Sequence, residues 1–374
     1  MGGVGEDLIW DSPYVRFAEG HRFFPRWDDQ FAMPKPAGVY RIVALGGSTT
    51  MGANVERAFP ELVGERLQAA MPDRRIEVMN GGYLAMGSHR VYEVQREAAR
   101  FDPDLFLIYL GHNEFLEDVT VDPVKLAAEQ RGLSMSIRRL RMVTLLGRWL
   151  GTRASGTADI LDTTFQQPDF PLIRSAEQVE NRHAFLAYNV SRMIDLARAH
   201  GADVMVVPAV ANPLMAPGNP EHGPGVGGDA RGWDHQFDRA WVAHCEGRHQ
   251  QAVDMIERLH EIDDQFASSH YALGVCLLAL DRPDAARDAL RRANALDRNG
   301  ARSSPAIFEV ILSTGRDRGV PTLDLRGLFD RELKEEFTRM YAGRRPRLFI
   351  DHCHPTQVGH EMIARALAER LQLG

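Results

Sequence analysis

The chain of 374 residues has only three cysteines, Cys245, Cys276 and Cys353, far apart and without Cys-x-x-Cys spacing. That scarcity supports neither a disulfide framework nor a zinc site, so they read as reduced thiols, two of them in helix packing. Long apolar runs are missing too; none approaches the roughly 18 residues that span a bilayer. Met1 to Asp11 carries acids and glycines where a secretory leader needs a basic start and an apolar stretch. The expectation is a soluble, cytoplasmic protein as written, although an exported or anchored parent truncated at its N-terminus would leave no trace. Excess positive charge is also lacking. A net charge of -7 gives no global attraction to nucleic acid or anionic lipid, so no nucleic-acid partner is expected.

What is present is an ordinary globular composition, 44% hydrophobic and 25% charged. Four short apolar segments (Tyr40 to Leu45, Ile76 to Met79, Leu105 to Leu110, Val204 to Val210) alternate with helical patterns, and Thr322 to Leu325 is a fifth candidate strand. Strands separated by helices imply an α/β fold, a doubly wound and mainly parallel five-stranded sheet covered on both faces. Apolar spacing of three and four residues predicts helices near 56–71, 88–100, 180–200, 304–318 and 356–372, with Ser88 and Thr356 as N-caps. Residues 115–180 exceed a strand-to-helix connection and are expected to form a lid or cap. Within them Arg138, Arg139, Arg141 and Arg148 alternate with apolar residues, which suits an amphipathic helix with a solvated face; membrane contact there stays open.

Asn212 to Asp229 is dense in Pro and Gly and reads as a loop. After it the sequence matches itself at an offset of 34 residues: Arg248 with Arg282, Ala252 with Ala286, Ile256 with Leu290, Asp263 with Asp297. That is the period of tetratricopeptide (TPR) helix pairs, with Leu273 and Gly274 at the Leu-Gly position of the motif. The organisation expected is an N-terminal extension (1–37), a first core part (38–210), a loop (211–236), a TPR-like helical insertion (237–300) and a second core part (301–374). A protein partner on the helices is one possible consequence, and a scaffold with a secondary catalytic fold is the matching alternative function.

Three segments carry candidate chemistry. Ser48 follows the first strand in Val43-Ala44-Leu45-Gly46-Gly47-Ser48, which puts a hydroxyl at the carboxyl edge of the sheet, where open α/β folds bind ligands. The motif lacks the Gly-Lys-Ser/Thr of a phosphate loop and the Gly-x-Gly-x-x-Gly of a dinucleotide site, so no cofactor is expected. Asn113 ends the third strand, and its amide suits a developing oxyanion or, more plainly, a turn. Asp351 and His354, three apart before the last helix, allow a carboxylate to orient an imidazole toward a distant nucleophile. Asp351, His352, Cys353 and His354 could also ligate zinc, but no partner cluster is evident and no metal is expected. Arg344, Arg345 and Arg347 fit either a pocket rim or plain surface charge.

Together these segments resemble the SGNH (GDSL-like) hydrolases, in which serine, an oxyanion backbone NH, asparagine and histidine occupy four blocks in this order. The remaining block is Asn80 to Ser88, and the resemblance covers about 38–114 and 303–372. It implies a serine esterase or acylhydrolase acting on a small-molecule, carbohydrate or lipid ester, with Ser48, His354 and Asp351 as a triad. An O-acyltransferase using the same acyl-enzyme is the alternative. Ser48, Ala85 and Asn113 would form the oxyanion hole, with Gly87 second to Ala85, and His112 and Glu114 would contact substrate. The sequence departs from the family in reading Gly46-Gly47-Ser48 for Gly-Asp-Ser and Gly111-His112-Asn113-Glu114 for Gly-x-Asn-Asp, changes that bear on substrate class more than on reaction type. Gly-His-Asn-Glu combined with TPR helices resembles a subgroup of the family.

Overall fold

A computed structural model describes residues 7–9, 30–116, 119–121, 161–163, 175–218, 220–298 and 302–372. Four parallel strands form the central sheet: β1 (Val39–Gly46), β2 (Arg75–Gly82), β3 (Leu105–Leu110) and β4 (Asp203–Pro208), in the order β2-β1-β3-β4. Between them and after them run α1 (Ser48–Met51), α2 (Phe59–Ala70), α3 (Ser88–Ala98), α4 (Ala176–Ala199), α5 (Ala230–Cys245), α6 (His249–His260), α7 (Ala267–Ala279), α8 (Pro283–Leu296), α9 (Pro305–Asp317), α10 (Arg326–Asp330), α11 (Leu333–Tyr341) and α12 (Gln357–Gln372). Two short antiparallel pairs, Asp7–Ile9 with Gln30–Ala32 and Val119–Val121 with Leu161–Thr163, lie outside this sheet.

Strand β1 is central, and the period of two along it sorts its side chains between two cores. Val43 and Leu45 face α3, α4 and α9 through Val91, Val94, Leu186, Met193 and Ile311. Ile42 and Ala44 face α2 and α12 through Phe59, Leu67, Ile363 and Leu367. With both faces covered, the strands need continuous apolar runs, which is why they are visible in the sequence. Helix ends are tied across the fold: Ser175 and Gln178 form a reciprocal capping box at α4, and the Phe59 N–H of α2 donates to His360 Nδ1 on α12 at 3.0 Å.

The expected fifth strand is not formed. At Thr322 only a single parallel bridge to Val206 is made, with the Val206 N–H donating to the Pro321 carbonyl. Pro321 has no N–H to extend a ladder, and Asp324 immediately turns the chain by accepting from the Arg326 N–H at 2.9 Å. Ser88 is also not an N-cap. Gly87 holds that position with no side-chain bond, and the Ser88 hydroxyl is used elsewhere. Thr356 does cap α12, accepting from the Gly359 N–H at 3.3 Å.

Helices α5 to α8 make two antiparallel pairs around a third core of Ala252, Ile256, Ala272, Cys276 and Leu290. The first of these helices begins at Ala230, ahead of where the sequence pattern placed the insertion. Gly274 lets α7 approach α8: a Cβ there would lie 2.6 Å from Leu290 Cγ. Asp263 and Asp297, one period apart, both hold the Pro/Gly loop, accepting from the N–H groups of Gly223 and Gly218. No cysteine pairs with another; Cys276 and Cys353 are buried and Cys245 is exposed. The expected lid falls almost wholly outside the described residues, as do Arg138, Arg139, Arg141 and Arg148. Among the described residues, no helix is long and apolar enough to cross a membrane.

Candidate active site

In register, Gly46 of β1 lies beside Gly82 of β2 and Tyr109 of β3, and Leu110 beside Pro208 of β4, so all four strands end along one edge. The chain leaves β1 toward β2 on one side and returns to β3 on the other. A crevice therefore opens between β1 and β3. Ser48 enters it as the first residue of α1, directly after β1. Gly46 is required by space, since a Cβ there would lie 2.1 Å from the Tyr109 carbonyl oxygen, whereas a Cβ at Gly47 would meet only the end of the Asn113 side chain, at 2.4 Å from Nδ2.

His354 reaches this point from a tight turn before α12, closed by bonds from the Ile350 N–H to the His354 carbonyl at 2.8 Å and from the Thr356 N–H to the Leu348 carbonyl at 2.9 Å. Its Nε2 lies 2.7 Å from Ser48 Oγ and its Nδ1 lies 2.7 Å from Asp351 Oδ2. The other Asp351 oxygen accepts from the backbone N–H groups of Cys353 at 2.9 Å and His354 at 2.8 Å. Partial burial alone would raise the Asp351 pKa. The His354 bond and the two backbone donors outweigh it and hold the carboxyl well below the usual range. With one imidazole nitrogen on the carboxylate and the other on the hydroxyl, His354 has neither free for a metal, though Asp351, Cys353 and His354 place donor atoms within 4.8 Å of one another. The Cys353 thiol, next to them, is pushed up by burial, which disfavours the thiolate a metal would need.

Asn113 stands at the carboxyl end of β3 and lines the same narrow slot as Gly47 and Ser48. One N–H of its amide donates to the Met86 carbonyl at 3.1 Å. Ala85, in the loop after β2, is exposed and has φ 53, a left-handed conformation in which glycine is at ease and alanine is strained. Gly87 starts the next helix as its N-cap.

His112 and Glu114 are both buried, in different surroundings. His112 is buried in the wall of the slot, its Nδ1 accepting from the Ser303 N–H at 3.1 Å. Burial first, then the nearby His352 and His354, push its pKa down to about 3, so the ring is neutral with its hydrogen on Nε2. Glu114 is turned away from the slot: its two oxygens accept from the Ser88 N–H at 2.9 Å and the Ser88 hydroxyl at 2.7 Å. The Glu114 side chain satisfies the first turn of α3, and burial raises its pKa against the lowering effect of the Ser88 bonds. Arg347 is likewise engaged away from the slot, in an ion pair with Glu332, and its backbone N–H donates to Glu336 at 2.6 Å. The sequence reading missed Asn212, Ser303 and Arg302, all in contact with the site's loops. Asn212 directly follows a strand's apolar run, a signal that could have flagged it; Ser303 and Arg302 carry none.

A much roomier cavity lies away from Ser48. It measures about 410 Å³ and opens between α4 and the end of α8, walled by Phe115, Val179, His183, Asn294 and Arg302. The Ser48 slot is far smaller, and it adjoins the hydrogen-bonded Ser48–His354 pair.

Residues 44–274 match the GDSL-like Lipase/Acylhydrolase family, and the chain belongs to that family. Residues 245–304 match the tetratricopeptide repeat. The family match includes Ser48, Ala85 and Asn113 and ends before Asp351. Among solved structures the chain is similar to an α/β hydrolase from the metagenome of Lake Arreo, Spain (12% identity, 89% of this chain and 95% of that one, TM-score 0.41). It is also similar to the lipase/acylhydrolase of Enterococcus faecalis (13%, 89% and 95%, TM-score 0.37) and to an acetylxylan esterase of Geobacillus stearothermophilus (11%, 89% and 94%, TM-score 0.42). Likenesses at that distance do not bear on substrate or mechanism. No curated protein matches the chain.

Proposed function

We propose that the protein is a serine acylhydrolase that cleaves an ester through an acyl-enzyme on Ser48. The observation that carries this reading is the continuous line from Ser48 Oγ through both nitrogens of His354 to Asp351, with each step at 2.7 Å. His354 Nε2 takes the hydroxyl proton as Ser48 attacks the acyl carbon, then returns it to the leaving alcohol. Asp351 fixes the tautomer with the hydrogen on Nδ1 and stabilises the imidazolium; its depressed pKa keeps it anionic while it does so.

The tetrahedral oxyanion is held by the backbone N–H groups of Ser48 and Ala85 and the second N–H of the Asn113 amide, which the Met86 carbonyl leaves unused. His112, neutral at working pH, walls the slot without adding charge. Water resolves the acyl-enzyme in the second half-reaction, with His354 acting as base again.

Replacing Ser48 with Ala tests the reading. Turnover of p-nitrophenyl acetate is expected to vanish while the thermal unfolding midpoint stays near that of the parent, since the hydroxyl carries chemistry and little packing. Undiminished hydrolysis by the variant contradicts the proposal.

A further inference from the structure

The turn that presents His354 is held from outside by a set of bonds that the reaction itself does not use. Its three successive carbonyls each accept from a different donor at the sheet edge: Asp351 from Asn212 Nδ2 at 3.0 Å, His352 from the Asn212 N–H at 3.0 Å, and Cys353 from Thr49 Oγ1 at 3.3 Å. Two of the three come from one residue. Asn212 is itself fixed, since its Oδ1 accepts from the Leu214 N–H at 3.0 Å and it is buried.

Behind Asn212 stands Arg302, 5% exposed. It donates to the carbonyls of Asn212 at 3.4 Å and Met215 at 2.9 Å, and pairs with Asp297 at 3.0 Å. Asp297 follows α8, the last helix of the repeat segment, and also accepts from the Gly218 N–H. A hydrogen-bonded chain thus runs from the end of the helical segment to the peptide that carries Asp351.

We propose that Asn212 is the positioning residue that sets the Asp351–His354 turn at its working distance from Ser48, with Arg302 and Asp297 anchoring it to the helical segment. The bonds within the turn fix its shape; those from Asn212 fix its place. Loss of the side-chain donor leaves the turn folded but free to drift from β4, and displacements of about 1 Å in a catalytic constellation lower turnover up to about a hundredfold. This inference rests on the triad reading above.

Asn212→Asp keeps the acceptor that Leu214 requires and the size of the side chain, but replaces the donor to the Asp351 carbonyl with an oxygen that repels it and adds a negative charge beside the turn. Two readouts are taken: kcat and KM for p-nitrophenyl acetate per active site titrated with a fluorophosphonate, and the far-downfield proton resonance of the His354–Asp351 hydrogen bond. The expected result is a kcat about 10- to 100-fold lower with KM unchanged, and a downfield signal weakened by faster exchange. Arg302→Lys, which keeps the charge on Asp297 but loses the forked donors, is expected to lower kcat severalfold and carries the test should the first variant fail to fold. Asp263→Asn, the equivalent carboxylate one period earlier, is expected to leave kcat at the parent value.

Parent-level kcat and an unchanged downfield signal in Asn212→Asp, parent-level kcat in Arg302→Lys, or an equal loss in Asp263→Asn each overturn the proposal. The proton resonance is read without substrate. A parent chain that shows it but hydrolyses no ester refutes the esterase reading, and the resonance in Asn212→Asp still decides the positioning.

Discussion

The carboxyl edge of the sheet and the α5 to α8 segment are built on opposite rules. At the edge separate loops deliver polar residues with different tasks, among them Ser48 after β1, Asn113 after β3 and Asn212 after β4. In the helical segment the same contact occurs twice, with Ala252 and Ala286, or Ile256 and Leu290, buried at equivalent places in successive pairs. Repetition spreads stability over interchangeable contacts. Changes inside the helices, away from the Asp297 anchor, should therefore alter stability and leave chemistry alone, whereas changes at the edge should do the reverse.

The largest break in that contrast is expected from Asn113→Ala. Removal of one oxyanion donor lowers kcat by about 10²- to 10³-fold, with little change in the unfolding midpoint; steady-state kinetics on an aryl ester with a parallel melting curve reads both. Acid stability should fail in both regions at once. Burial pushes the pKa of His112 down to about 3, and burial with the neighbouring His270 pushes that of His260 down to about 4. Unfolded histidine titrates near 6.5, so below about pH 6.5 the unfolded chain binds more protons and stability falls with pH. Asp351, whose folded pKa is depressed, loses its contribution in a lower window, as pH falls through that folded value. His112→Gln and His260→Gln are each expected to flatten the decline in urea-unfolding free energy between about pH 6.5 and 4.

A smaller effect is expected from Gly274→Val. Its Cβ meets Leu290 Cγ at 2.6 Å and the Ala286 carbonyl at 3.2 Å, an overpacking that costs about 1–3 kcal/mol. Chemical denaturation should show the loss while kcat per active site is unchanged; an equal fall in kcat would erase the distinction between the regions. Smallest is Ala85→Gly, which relieves the φ of 53 and offers a gain of about 1 kcal/mol at most, after the added chain entropy of glycine. Differential scanning calorimetry checks it.

The two regions also differ in how much of them the sequence exposes. The strands were legible because burial on both faces demands unbroken apolar runs such as Leu105 to Leu110, and the helix pairs because Arg248 and Arg282 begin the same pattern 34 residues apart. The fifth strand was misread because Thr322 to Leu325 has a suitable composition, while the cost of Pro321 and the turn at Asp324 lies in backbone hydrogen bonding, which composition does not display. Ser48 and Asn113 stood out through local motifs after strands, Asp351 and His354 through their spacing before the last helix. Glu114 shared the motif of Asn113, yet its bonds to Ser88 depend on where α3 begins, and Arg302 meets Asn212 only through chain folding across 90 residues. Short-range patterns carry element type and reactive residues; partners distant in sequence come from the fold.

The central claim is that Ser48 is activated by His354. Reaction with a fluorophosphonate followed by peptide mass spectrometry tests it most directly: the account predicts a single adduct on Ser48 that disappears in His354→Ala. An unlabelled protein, or an adduct on any other residue, would contradict it.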